Sequence, residues 1–382
     1  MKNKIINVIL FIILILLVAI LAGFGWIMYR EINSSESSEI EFKFDSFTSD
    51  IIDELTNRND SEKDDLNNIG SIEGNIYSNI STNNQEVENE TANLNKNFFY
   101  NQLNNTQRII YDGLEDNKDY LKQGDYKISF GNKFSELLKQ ENGSEELGDD
   151  YQSAIEAFVH DHPEIFYLDV NKMYLNIQTT TKLLRTRYNV YIAPADGTTY
   201  LSDEFASTNE IEKAINEIEN EKQMILQRLK GTEYKNILFI HDYLVDNIAY
   251  DSNYSARGTY NIYGALVEHK CVCEGYAKAF KYLLNSAGYD CELLQGTATN
   301  SSGNSENHAW NAVYLNNVWY QVDVTWDDPI VIGNNGRATS EMKYKYFLKG
   351  TNQFNKDHTL YYQFSEKGRN FSYPNLSIAD YK

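Results

Sequence analysis

Two adjacent asparagines, Asn316 and Asn317, separate two strand-like runs at 308–315 and 318–325 and constrain how this half of the chain can fold. Asparagine tolerates the positive φ of a tight two-residue turn, so the runs are predicted to form an antiparallel hairpin. A turn centred there pairs residues whose numbers sum to 633 and sets Trp310 opposite Asp323. His308 then shares a face with Asp323 at a diagonal Cα distance of about 7–8 Å, which a His–Asp hydrogen bond can bridge.

A cysteine precedes the hairpin at the start of a predicted helix. Cys273 leads into an apolar helical pattern that ends at Gly288, as expected for a C-terminal cap. Unpaired backbone N–H groups and the helix dipole at such a position favour the thiolate. A helix-start thiol with a His–Asp pair predicts nucleophilic acyl chemistry, in which His308 accepts the thiol proton and Asp323 orients the ring.

Other readings of the cysteines and of the remaining candidate base stay open at this level. Cys271 and Cys291 are expected to be small buried apolar residues. A metal site built on Cys271 and Cys273 would need a second ligand pair, and the sequence has no further cysteine pair, so neither a metal nor a cofactor is predicted. His358 is a rival base, although the sequence places no carboxylate on its face.

These motifs resemble the transglutaminase-like superfamily of bacterial surface proteins. The resemblance rests on Cys-Glu-Gly-Tyr-Ala at 273–277, His-Ala-Trp-Asn at 308–311 and Val-Asp-Val-Thr-Trp-Asp-Asp at 322–328. Similar segments at 241–251 and 345–348 extend it over about residues 205–360. It implies an α+β, papain-like core in which a nucleophile helix packs on an antiparallel sheet.

The resemblance also implies roles for particular residues. The catalytic Cys, His and Asp of the family correspond to Cys273, His308 and Asp323. Tyr263 lies where the family often has a residue near the oxyanion, and Trp310 is expected to line the core or the cleft wall.

The N-terminal end of the chain carries an apolar run over residues 5–28, in which Asn7 is the one polar residue. A helix of this length is about 36 Å long, enough to cross a hydrocarbon core of about 30 Å. Lys2 and Lys4 precede the run and acidic residues follow it, which predicts a cytoplasmic stub, a single-pass anchor over residues 1–30 and an extracytoplasmic body. A cleaved signal peptide is the alternative, and its apolar region is usually shorter.

Residues 31–98 differ in composition from the rest of the chain. They contain 16 acidic and 4 basic side chains, 13 Asn and 10 Ser, which predicts a disordered spacer between membrane and body. The whole chain has 34 basic and 55 acidic residues and a net charge of −21, which argues against nucleic acid as a partner.

The folded part is predicted to contain two units. An accessory α+β domain is expected over 99–204, with a helix near 150–160 and strand-like runs at 172–178 and 185–192, and the catalytic domain over 205–382. His160 and His162 in the accessory unit are expected at a surface helix end. The expected function is thioester formation with a protein or peptide carboxamide at the cell surface, followed by transfer to an amine or to water. The alternative is an inert binding or structural module with the same fold.

Overall fold

A computed structural model describes residues 20–24, 26, 28–30, 36–44, 98–182, 185–328, 339–361 and 371–382. The helices, in chain order, are α1 (Asn105–Asp116), α2 (Gly143–Asp161), α3 (Thr208–Leu226), α4 (Glu233–Asn247), α5 (Ile262–Leu266), α6 (Cys273–Ser286), α7 (Val324–Asp327), α8 (Ser340–Lys343) and α9 (Thr351–Phe354). The strands are β1 (Glu36–Lys43), β2 (Ile128–Gly131), β3 (Tyr174–Lys182), β4 (Arg185–Ala193), β5 (Ala249–Tyr250), β6 (Lys270–Cys271), β7 (Cys291–Thr299), β8 (Ser305–Leu315), β9 (Val318–Val322) and β10 (His358–Leu360).

The N-terminal unit is built on an antiparallel sheet with the strand order β1-β3-β4-β2. Leu175, Ile177, Val190 and Ile192 of β3 and β4 share one face and are buried at 1% exposure or less, and Asn176 and Tyr191 between them are buried as well. The strand pair matches the two predicted strand-like runs. Helix α2 is tied to this sheet by the hydroxyl of Tyr151, which donates to the Met173 carbonyl at 2.9 Å.

Residues 36–43 correct the prediction of a disordered spacer over 31–98. They form β1, which pairs antiparallel with β3 and sets Ile40 opposite Ile177 and Phe42 opposite Leu175. The apolar residues Ile40, Phe42 and Phe44 alternate, and Phe44 is 1% exposed. This short period-two pattern is hidden in the average composition of the region. Residues 45–97 lie outside the described part, so the prediction is untested there.

The end of α2 is another correction, because His160 and His162 are buried rather than on the surface. Most of α2 is buried, with the exception of a few positions in its first half. At its C-terminal end the Phe99 and Tyr100 N–H groups donate to Asp161, and Lys281 of α6 lies over the Phe99 ring. One contiguous apolar core joins the residues from Phe44 to Phe371. The division into domains at 204 stays a prediction.

The C-terminal sheet has the strand order β10-β7-β8-β9, and α6 packs against it. The hairpin register is confirmed, because Asn311 pairs with Val322 and Leu315 with Val318. Asn316 and Asn317 occupy the turn with φ of 53° and 64°, the left-handed conformation that the sequence predicted. The helix and the antiparallel sheet form the α+β core that the resemblance implied.

Most of the predicted anchor at residues 5–28 lies outside the described residues, and those described at 20–24, 26 and 28–30 are helical. Within the part of the chain that the structure describes, no helix is both long and apolar enough to cross a membrane.

Candidate active site

Cys273 is the first residue of α6, and the backbone before it is fixed by the short parallel pair β5 and β6. The Val272 N–H donates to the Thr259 carbonyl at 3.0 Å. Gly275 allows this close packing, since a Cβ at that position would lie 2.5 Å from Cys271 Cβ and 3.0 Å from the Thr259 oxygen. The Cys273 side chain is half-buried, whereas Cys271 and Cys291 are fully buried.

A buried carboxylate, Asp251, holds the loop whose Thr259 carbonyl accepts the Val272 N–H. Asp251 accepts hydrogen bonds from the Ala256 N–H and the Thr259 hydroxyl, both at 2.8 Å, and lies 2.9 Å from Lys270 Nζ. Burial opposes its ionisation, but these partners hold its pKa well below the usual value. The position of Cys273 therefore depends on a charged, fully bonded residue from a loop that precedes it.

The structure brings the three predicted catalytic residues together. His308 Nε2 lies 2.8 Å from Asp323 Oδ2, and both side chains are buried. Cys273 also acts on the His308 ring and raises its pKa, so the thiol lies near the imidazole that bonds Asp323. The hairpin and the helix start thus converge as the sequence predicted.

The charge balance of this group favours a protonated histidine. Burial would lower the pKa of His308, but the charge of Asp323 and hydrogen bonds with Asp323 and Cys273 raise it to about 10. Burial alone would raise the pKa of Asp323, and the neighbouring His308 and then His358 hold it well below its usual value instead. An imidazolium beside the thiol is the partner that stabilises a thiolate.

The second oxygen of Asp323 is held by the protein backbone. Asp323 caps α7, and its Oδ1 accepts the Trp326 N–H at 3.1 Å. Oδ2 is therefore the atom turned toward the histidines. The helix cap fixes the plane of the carboxylate and with it the direction of the hydrogen bond to His308.

His358 contacts the same carboxylate, which the sequence did not indicate. Its Nε2 lies 3.0 Å from Asp323 Oδ2, and its Nδ1 lies 2.7 Å from Asp357 Oδ1. His358 is 3% exposed and is packed by Trp310 and Trp326, with ring centroids 5.1 and 4.7 Å away. Its ring centroid lies 5.5 Å from that of His308, and its two ring nitrogens bond Asp323 and Asp357, so it is not placed as a rival base to Cys273.

The spacing of this group bears on metal binding. One ligand atom from each of His308, Asp323 and His358 lies within 4.8 Å of the others. The same atoms are engaged in the two hydrogen bonds to Asp323, so a metal ion could bind only in exchange for both.

Trp310 and Asn311 support the histidine rather than line an open cleft. The Trp310 ring stacks on His308 with centroids 6.0 Å apart, and its indole N–H donates to Gln321 at 2.9 Å. The Asn311 amide donates to the Ala277 carbonyl of α6 at 2.9 Å. This bond ties the strand that carries His308 to the helix that carries Cys273.

Tyr263 is placed differently from the role that the resemblance implied. Its hydroxyl donates to Glu217 of α3 at 3.2 Å, and its ring packs against Phe166 and Phe205. None of its described contacts involves Cys273, so an oxyanion role for Tyr263 stays a prediction.

Other tyrosines surround the thiol and were missed in the sequence. Burial, followed by the charge of Cys273, raises the pKa values of the phenols of Tyr250 and Tyr254. Tyr250 ends the segment 241–251 that carries part of the family resemblance, which was the available signal. Both phenols lie near the Cys273 thiol, Tyr250 at the end of β5 and Tyr254 in an exposed position after it.

Comparison with known proteins agrees with this geometry. Residues 223–324 match the family model described as the transglutaminase-like superfamily. Kyphoscoliosis peptidase of Mus musculus is 35% identical over 97 residues, which is 23% of this chain and 14% of that protein. The Homo sapiens protein of the same name is 30% identical over 138 residues, 33% of this chain and 21% of that protein.

The chain thus spans about a fifth or less of the length of these curated relatives. Among solved structures, a TGase aligns with a TM-score of 0.28 and 14% identity, over 42% of this chain and 46% of that one. The motif order, the helix–sheet arrangement and the family match lead to one conclusion: residues 223–324 form a transglutaminase-like domain.

Proposed function

We propose that this chain is a cysteine enzyme of acyl transfer, in which Cys273 is the nucleophile, His308 the proton carrier and Asp323 the residue that orients and charges His308. The observation that supports this most is the Asp323 carboxylate, which lies 2.8 Å from His308, while Cys273 also acts on the pKa of that ring. The substrate is a carboxamide or peptide bond of a protein or peptide.

The reaction proceeds in two balanced halves. The Cys273 thiolate attacks the carbonyl carbon, the resulting tetrahedral oxyanion collapses, and the C–N bond breaks. The leaving nitrogen takes the proton of the His308 imidazolium and departs as ammonia or as an amine, leaving a thioester on Cys273. The incoming nucleophile attacks the thioester carbonyl, and His308, now neutral, accepts its proton. Cleavage of the C–S bond then releases the Cys273 thiolate beside the His308 imidazolium and restores the starting ion pair.

The incoming nucleophile decides the outcome. An amine gives a new amide and hence a cross-link, whereas water gives a carboxylic acid, which means deamidation or proteolysis. The name of the relatives, a peptidase, favours water. Full-length chain incubated with a glutamine-containing protein and a fluorescent amine separates these fates, since incorporated label, released ammonia and new N-termini are distinct products.

The nucleophile is tested directly by alkylation. We expect iodoacetamide near pH 6 to label Cys273 much faster than Cys271 and Cys291, because burial raises the pKa of both of those thiols. His308→Ala should slow the labelling of Cys273 by at least about tenfold through loss of the imidazolium.

The two buried cysteines serve as internal controls in the same sample. Equal labelling rates for the three thiols, or no effect of His308→Ala, would contradict the proposal. Such a result would favour the second candidate, an inert surface module with the same fold.

We also propose that the body lies outside the cytoplasm and is attached through residues 5–28. The apolar composition of that run supports the proposal, as does the exposure of the apolar side chains of Ile20, Leu21, Phe24 and Trp26 in its described part. Protease accessibility of an epitope after residue 382 in intact cells and in lysed cells tests the orientation. Protection in intact cells would contradict it.

A further inference from the structure

A cavity of about 360 Å³ lies between α2 of the N-terminal unit and the first two turns of α6. Glu274 and Lys278, which follow Cys273 on α6, line it on one side, and Glu156 and His160 of α2 line it on the other. The cavity therefore adjoins the turn of α6 that begins with Cys273.

The walls are largely apolar. They include Phe44, Val159, Ile165, Phe166, Leu168 and Leu293. Leu293 is on the sheet strand β7, and Phe44 directly follows β1, so both halves of the described body contribute. Such walls fit the methylene stem of a long side chain.

Glu156 is the unusual residue of this cavity. It is 7% exposed, and no group in the described part of the chain donates a hydrogen bond to its carboxyl oxygens. The nearest candidate is His160 Nδ1, 3.6 Å from Oε1, and this nitrogen bonds the Glu156 main-chain carbonyl at 2.8 Å. Burial raises the pKa of Glu156 to about 8. A buried carboxyl group without a donor is costly and calls for a partner.

The other charges around the cavity leave room for a cation. Glu274 is paired with Lys278 at 2.5 Å, and Asp169 with Lys172 at 3.3 Å. Glu204 is exposed at the rim. Burial lowers the pKa of His160 to about 4, so this ring adds no positive charge near neutral pH. An entering cation would favour the ionised form of Glu156 and would also meet Glu204, while Lys278, the lysine among the described lining residues, is already paired with Glu274.

We propose that this cavity is a specificity subsite for a basic residue of the polypeptide substrate, with its methylene stem against Phe166 and Leu293 and its cationic end on Glu156. The inference deepens the proposed function and rests on it for the assignment of the ligand as part of the substrate. Arginine and lysine both have the required stem and charge. The side chain held here is recognised and does not react.

The test measures binding without turnover. Nα-acetyl-arginine amide and its uncharged isostere Nα-acetyl-citrulline amide are titrated into the full-length chain carrying Cys273→Ala, and binding is followed by NMR. We expect arginine to bind at least about tenfold more tightly than citrulline, and Glu156→Gln to reduce this ratio to about one. Glu41→Gln, at a separate cavity lined by Glu39 and Asp125, is the matched control and should leave the ratio unchanged.

Equal binding of the two amides, or a ratio that survives Glu156→Gln, would overturn the proposal. If Glu156→Gln does not fold, Val159→Phe is the second variant, because it fills the cavity and keeps Glu156; it should abolish binding of both amides. Guanidinium is a very poor acyl acceptor. Tight binding of the arginine amide would therefore report recognition of a side chain and not binding of the amine that reacts with the thioester. This assay uses Cys273→Ala, so a negative binding result would overturn the subsite without contradicting the proposed function. Conversely, slow alkylation of Cys273 would contradict the proposed function without contradicting arginine binding in the cavity.

Discussion

Asp323 shares one carboxylate oxygen between two histidines, and the two have different surroundings. His308 lies near the Cys273 thiol, whereas His358 bonds a second carboxylate, Asp357. Because His308 and His358 bond the same oxygen, each histidine weakens the electrostatic effect of the Asp323 carboxylate on the other histidine. We infer that His358 is a positioning residue that moderates the basicity of His308 and so keeps the imidazolium acidic enough to protonate a leaving amine.

Replacement of His358 should therefore affect thiolate formation and proton donation to the leaving group differently. In His358→Phe the full charge of Asp323 acts on His308, so the pKa of His308 should rise above its value of about 10. Alkylation of Cys273 needs only the thiolate and should persist, while Cys273-dependent turnover should fall by about tenfold, because proton donation to the leaving group slows.

An NMR titration of the His308 ring gives the direction of the pKa change. His358→Gln, which keeps an N–H donor, should restore part of the activity. Parallel loss of alkylation and turnover in His358→Phe would instead indicate a purely structural role.

The contrast between the two histidines explains what the sequence could predict. His308 and Asp323 belong to one hairpin, so the Asn316–Asn317 turn was enough to place them on the same face. His358 lies on β10, which pairs with β7. No local pattern encodes a pairing between strands so far apart in the chain, although the Asp357-His358 dipeptide was visible. The burial of His160 was missed for the same reason, since it depends on tertiary contacts.

The pairing of β10 with β7 depends on Gly296. Its Cα faces the β10 backbone, and a Cβ there would collide with the Thr359 carbonyl and lie 2.8 Å from the Trp310 ring. Gly296 is also the residue of β7 that pairs with His308. A single position without a side chain thus lets β10 approach closely enough for His358 to reach Asp323.

Gly296→Ala should displace β10 and weaken the contact between His358 and Asp323. As in His358→Phe, we expect alkylation of Cys273 to persist while turnover falls. Overpacking should also lower the free energy of unfolding by about 1–3 kcal/mol. Urea denaturation and the alkylation assay measure the two effects. Thr297→Ala, one residue later on the same strand, is the control and should change neither the alkylation rate nor the turnover. An unchanged turnover in Gly296→Ala would contradict the link between β10 and catalysis.

At the scale of the whole molecule, the folded body includes β1, a strand that precedes the predicted accessory domain in the sequence. Its pairing with β3 covers that edge of the sheet, and the Gln152 side chain donates to the Lys43 carbonyl at 2.8 Å. Gly148 of α2 lies against the Phe42 ring, where a Cβ would come within 2.5 Å of the ring. Composition identified the acidic region correctly, but it averages over the short alternation of Ile40, Phe42 and Phe44 at and just after the end of this eight-residue strand.

Two fragments should therefore differ in stability. A chain that begins at residue 36 should unfold like the full-length body, whereas one that begins at residue 45 loses β1 and the buried Phe44 ring. The second should lose about 3–5 kcal/mol and associate through the uncovered edge of β3. Thermal unfolding and size-exclusion chromatography compare them, and identical melting temperatures with monomeric elution for both would contradict the prediction.

The position of β1 also limits how far the active site can stand from a membrane. Between the helical residues 28–30 and β1 there are only residues 31–35, which fully extended span at most roughly 18 Å. With residues 5–28 in the bilayer, the body would rest close to the lipid headgroups instead of extending outward on a long stalk. If the proposed function holds, the site would act in a thin layer next to the membrane, and its substrates would be proteins or peptides that are held at, or delivered to, that layer.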